Sequence, residues 1–99
     1  MVKHIVIFKL KGEIAQEEKL DVMNRFKVAI ENLPTQMPFI RKIEVGLNTN
    51  PAEAWHIALY SEFDSWEDVK AYSTHPEHVA AGKIIASAKE SRACVDYEL

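Results

Sequence analysis

Tyr72, His75 and His78 recur every three residues, a spacing that sets them along one side of a helix. A phenol with an ordinary pKa near 10 and an imidazole near 6.5 can divide acid and base work between them. The imidazole takes a proton, while the phenol donates a hydrogen bond to the oxyanion that develops on a carbonyl. The stripe continues through Ala81, Gly82, Ile85 and Ala88, which turns His78 inward. The small run Ala80-Ala81-Gly82 either lets this helix lie close on its neighbour or leaves a cavity beside His78. The remaining histidines, His4 and His56, fall in alternating segments. Alternation puts both on a helix-covered sheet face, His4 with Val6 and Phe8 and His56 with Ala58. An imidazole there needs a partner, and a backbone carbonyl would serve.

No metal or cofactor chemistry is legible. His4 and His56 stand roughly 20 Å apart on antiparallel neighbours, too far to share an ion. Cys94 is the only cysteine, so there is no CxxC pair and no intrachain bridge. A phosphate-cradling glycine loop, a GxSxG elbow and an HExxH helix are all missing. Glu17, Glu18, Glu67 and Asp68 stand at helix starts, where the macrodipole favours them, and read as structural.

The elements that must position these residues follow from periodicity. Val2 to Leu10 alternates as strand one, with His4, Val6, Phe8 and Leu10 on one face and Ile5 and Ile7 on the other. Val22, Met23, Phe26, Ala29, Ile30 and Leu33 form a helical stripe from about Ala15 to Leu33, stopped by Pro34. Phe39 to Leu47 and Trp55 to Phe63 are expected as strands two and three, joined by the turn-rich stretch Asn48 to Pro51. Ser65-Trp66-Glu67-Asp68 has the form of a capping box and opens a second helix. That helix breaks at His75, because the residue before Pro76 is disfavoured in helical geometry, and restarts with Pro76 in its first turn to run to about Glu90. Ala93 to Leu99 alternates as strand four.

The order β-α-β-β-α-β predicts an α+β, ferredoxin-like domain over residues 1–99, a four-stranded antiparallel sheet of order 4-1-3-2 with its helices on one face. The other face then carries Ile5, Ile7, Trp55, Ile57, Leu59 and Phe63, too much apolar surface to leave in water. A second copy covers it most simply, since a two-fold axis makes one patch complementary to itself. A homodimer buried through Ile5, Ile7, Ile57 and Leu59 is therefore expected.

Composition narrows the partners. Of the 99 residues 47% are hydrophobic and 27% charged, as in an ordinary globular domain. A net charge of −3 with scattered lysines gives no footprint for nucleic acid. Charges interrupt every apolar run near Met1, so neither a signal peptide nor a membrane span of roughly 18 apolar residues is expected. The lone cysteine suits a reducing compartment, and a cytoplasmic location is expected.

Met1-Val2-Lys3-His4-Ile5-Val6 with Phe8-Lys9, Phe63 closing strand three, Tyr72 followed by His75-Pro76-Glu77-His78, and Val95-Asp96-Tyr97 together resemble the stress-responsive A/B barrel (Dabb) family over nearly the whole chain. The resemblance implies a ferredoxin-like domain that dimerises sheet to sheet into an α/β barrel. Activity within the family is varied. One plant member is a cofactor-free polyketide cyclase, and likeness to it places a catalytic pair on Tyr72 and His78, with pocket histidines at His4, His56 and His75. Val6, Phe8, Ala81 and Gly82 would line the same pocket. Ala80 and Ala81 depart from that cyclase's bulkier lining, which argues against a long aromatic-alkyl substrate. Three readings stand: a binder of a small organic ligand, a cofactor-free cyclase or isomerase acting on a carbonyl compound, and a structural stress protein.

Overall fold

The computed structural model describes residues 1–99. Its elements are β1 (Val2–Leu10), α1 (Gln16–Glu31), a 3₁₀ turn (Leu33–Thr35), β2 (Lys42–Leu47), β3 (Ile57–Phe63), α2 (Trp66–Thr74), α3 (Pro76–Ala86) and β4 (Lys89–Glu98). The four strands form one antiparallel sheet in the order β2-β3-β1-β4, the ferredoxin-like topology. The helices lie on one side of it, and the core is closed by Val6, Leu10 and Phe63 from the sheet against Phe26, Ile30, Tyr72 and Ile85 from the helices.

Local chemistry sets the helix boundaries around the site. Ser65 Oγ accepts from Asp68 N at 3.1 Å and caps α2. His75 ends α2 in an extended conformation and begins α3, its Nδ1 accepting from Glu77 N at 3.1 Å, with Pro76 in the first turn. The break between Thr74 and Pro76 thus lets two short helices meet the sheet at different angles, and it brings His78 back beside Tyr72.

Several boundaries differ from expectation, among them α1, which ends at Glu31 rather than Leu33, and β3, which begins at Ile57 rather than Trp55. β2 begins at Lys42, because Met37 to Ile40 is taken up by a turn closed by the Ile40 N to Met37 O bond. α3 stops at Ala86 and β4 begins at Lys89, since the long β1 offers pairing partners as far as Leu10. β4 is exposed along most of its length, so it lacks the alternation that marks a half-buried strand.

One expectation fails on its parity. Ile57, Leu59 and Phe63 are buried under the helices, whereas Ala58, Tyr60 and Glu62 emerge on the open face. The register explains it: Leu59 lies opposite Val6 and Ile57 opposite Phe8, so cross-strand neighbours share a face. Of the two alternating sets of β3, the more apolar is driven to the core. Ile57 and Leu59 are therefore unavailable for sheet-to-sheet pairing. Ile5 and Ile7 do lie on the open face, beside Ala58, Ala93, Val95 and Tyr97 in the same register. At one corner of that face Lys3 Nζ reaches Tyr60 Oη at 2.8 Å and Glu62 Oε2 at 3.1 Å.

Candidate functional site

A cavity of about 220 Å³ lies on the helix side of the sheet. Its floor is His4, Val6 and Phe8 of β1 with Leu59 of β3, its walls Phe26 and Ile30 of α1, and its far side Tyr72, His78 and Gly82 of α2 and α3. The engineered apolar cavity that holds benzene is about 150 Å³, so one ring with a short substituent matches this space.

Tyr72 is the most telling group. It is fully buried, and its hydroxyl has no hydrogen-bond partner in the protein. Such an orphan costs about 1–3 kcal/mol, so buried polar groups without partners are uncommon and call for a reason. Burial pushes the phenol pKa up, only partly offset by the Arg92 charge, so the group stays protonated and can donate.

His78 stacks obliquely on Tyr72, with ring centroids 4.4 Å apart. Its Nδ1 is 3.1 Å from the Ser73 carbonyl, which can only accept, so Nδ1 carries the proton and Nε2 the lone pair. Burial lowers the imidazole pKa, the Ser73 bond opposes it, and the His4 and Arg92 charges add to the lowering. The neutral ring, the form that can accept a proton, is thereby favoured.

His4 is 6.0 Å from Tyr72 between ring centroids, edge to face. Its partner is Asp96 on β4 and no backbone carbonyl: Nδ1 donates to Oδ1 at 2.5 Å. The Cys94 thiol also donates to Asp96 Oδ1 at 3.5 Å, and burial together with that carboxylate pushes its pKa up. The donor atoms of His4, Cys94 and Asp96 all lie within 4.8 Å of one another. The 2.5 Å between His4 Nδ1 and Asp96 Oδ1 is a hydrogen bond and shorter than any edge of a tetrahedral zinc site, so the trio is joined by hydrogen bonds centred on the Asp96 carboxylate.

The cavity gathers His4, Val6, Phe8, Tyr72, His78 and Gly82. It does not gather the others expected there. His75 is spent on capping α3. His56 immediately precedes β3, its Nδ1 accepting from Leu10 N at 3.0 Å, and burial lowers its pKa. Ala81 is buried against a separate hollow between α1 and α3. Gly82 is not there for close approach, since an added Cβ would meet nothing within 4 Å.

Asp96, Lys89 and Arg92 escaped the sequence reading. The first was recoverable once β4 was laid antiparallel to β1, because Asp96 falls directly opposite His4. The two cations precede the expected start of strand four at Ala93, and the irregular register that places Lys89 has no sequence signal.

Residues 2–99 match the model of the Stress responsive A/B Barrel Domain, and the chain belongs to this Dabb family. It is 29% identical to olivetolic acid cyclase of Cannabis sativa, covering 97% of this chain and 94% of that protein. It is 30% identical to the stress-response A/B barrel domain-containing protein DABB1 of Arabidopsis thaliana across 98% of this chain, which spans only 46% of that relative's length. Among solved structures, a dimeric protein of unknown function and ferredoxin-like fold from Bacteroides fragilis is 70% identical and superposes with a TM-score of 0.98, covering 99% of this chain and 95% of that one. No helix is long and apolar enough to cross a membrane.

Proposed function

We propose that the chain forms a homodimer through the open faces of its sheets and binds a small oxygenated organic ligand in the cavity between sheet and helices. The observation that carries the ligand reading is the buried, unpartnered Tyr72 hydroxyl beside an apolar cavity of one-ring size. A ligand oxygen would satisfy it. The dimer is supported by the apolar cluster of Ile5, Ile7, Val95 and Tyr97 on the uncovered face and by the dimeric state of the Bacteroides fragilis relative.

Binding is tested with benzamide, whose carbonyl suits a phenol donor. It should raise Tm in wild type according to RT ln(1 + [L]/Kd) and fail to do so in Tyr72→Phe. Equal shifts in both proteins would refute the site.

A second reading, catalysis on a carbonyl compound, is favoured by the protonation states of the pair. The neutral His78 would take a proton from the carbon next to a carbonyl while the Tyr72 hydroxyl donates to the oxygen on which the charge collects. Return of that proton to a different carbon completes an isomerisation, whereas in a cyclisation the enolate carbon bonds to a second carbonyl carbon of the same molecule and the proton held by His78 goes to the alkoxide formed there. Exchange of the α-protons of 1,3-cyclohexanedione into deuterated buffer measures the first step. His78→Gln should slow the protein-dependent rate about 10²–10⁴-fold, and an unchanged rate would remove His78 as the base.

A further inference from the structure

We infer that the cavity carries an anion subsite made by Lys89 and Arg92, and that its ligand is a small apolar carboxylate. This rests on the reading of the cavity as a ligand site and adds the class of ligand. Both cations line the cavity, and no carboxylate does. Of the 12 lysines and arginines, Lys89 and Arg92 alone line this cavity, and neither is held in an ion pair. The cavity therefore carries two positive charges with no acidic side chain in its lining, in a chain of net charge −3.

The backbone is built to bring them together. Residues three apart on a regular strand point to opposite faces. Arg92 lies opposite Phe8, on the cavity side, so Lys89 would face away. The register of β4 against β1 shifts between Lys9 and Leu10, leaving Glu90 unpaired and placing Lys89 opposite Leu10. That irregularity turns Lys89 back to the face of Arg92, as bulges next to functional sites do. A guanidinium matches both oxygens of a carboxylate, and the ammonium adds a point charge beside it. The ligand's apolar body then lies over Val6, Phe8 and Phe26, with Tyr72 left for a second oxygen.

The test uses isosteric pairs that differ in charge: benzoate against benzamide, and phenylacetate against phenylacetamide, by titration calorimetry at fixed ionic strength. Wild type should bind each carboxylate at least tenfold tighter than its amide. Lys89→Gln and Arg92→Gln should each weaken the carboxylates about tenfold, the weight of one charge-assisted hydrogen bond, and leave the amides unchanged. Amides bound as tightly as carboxylates, or carboxylates unaffected by both substitutions, would overturn the anion subsite while sparing the cavity reading. Failure of all four compounds to bind at millimolar concentration would overturn both.

Discussion

On the helix-covered face of the sheet Val6, Leu59 and Phe63 are closed in by α1, α2 and α3, yet the packing stops short around Tyr72 and leaves a cavity. On the opposite face Ile5 and Ile7 are half covered by their own neighbours, and Val95 remains 62% exposed. The covered face has enough apolar material to fill itself and does not; the open face has apolar material with nothing above it. The cavity on the covered face is what the proposed ligand would fill. An uncovered sheet points outward, to another copy of the chain. The two strands that alternate most cleanly, β1 and β3, supply both faces at once, so single substitutions along them separate the two roles.

The largest effect is expected from Leu59→Ala, which leaves a hole in the core and should cost about 2–5 kcal/mol of unfolding free energy. Ile7→Lys, one position along β1 from the core residues Val6 and Phe8 and so on the opposite face, should instead halve the mass in sedimentation while the isolated domain keeps its helical circular dichroism. If Leu59→Ala dissociated the protein without destabilising it, or if Ile7→Lys remained a dimer, the assignment of the two faces would be reversed.

Gly82 sharpens the contrast within the covered face. Glycine inside a helix costs roughly 0.5–1 kcal/mol relative to alanine, and here no close approach demands it. Gly82→Leu should fill the cavity, keep or raise Tm, and abolish the shift produced by benzamide. A large loss of stability would mean that the space beside His78 is not free.

A smaller effect is expected from pH. Burial lowers the pKa of both His56 and His78 in the folded chain. The unfolded imidazoles, near 6.5, then bind protons that the folded ones resist. Stability is fully present above about pH 6.5 and declines as the pH falls below it. His56 adds a structural reason, because its Nδ1 must stay unprotonated to accept from Leu10 N. The combined His56→Gln, His78→Gln variant should show a flatter Tm between pH 7 and pH 5 than wild type. Glu31, Glu62 and Asp64, whose pKa values are lowered chiefly by hydrogen bonds from Lys27, Tyr60 and Arg41, act at lower pH and leave this window clear.

What could be seen in the sequence tracks how far each signal reaches along the chain. Strand one, the stripe of helix one and the Ser65 and Pro76 boundaries are local patterns, and they are where expected. The inward turn of His78 beside Tyr72 is local too, a matter of helical spacing. The face of β3 was also written locally, in Ile57, Leu59 and Phe63 against Ala58, Tyr60 and Glu62, but assigning that set to the open side misplaced Ile57, Leu59 and Phe63. Asp96 as the partner of His4, and Lys89 beside Arg92, depend on the register of strands some 90 residues apart and on one irregular pair. Nothing within either segment marks them. His75 shows the converse: its spacing suits a pocket, but the Pro76 beside it turns its ring to a capping task.

The most direct test of the ligand site is chemical denaturation of wild type and Tyr72→Phe at one fixed protein concentration, with and without benzamide. If the Tyr72 hydroxyl is an orphan held for a ligand, removing it should leave the free protein as stable as wild type or more stable by about 1 kcal/mol, and should erase the stabilisation by benzamide. A Tyr72→Phe protein that is less stable by more than about 1 kcal/mol, yet gains as much from benzamide as wild type does, would contradict it: the hydroxyl would then be serving the fold, and the cavity would have no polar anchor.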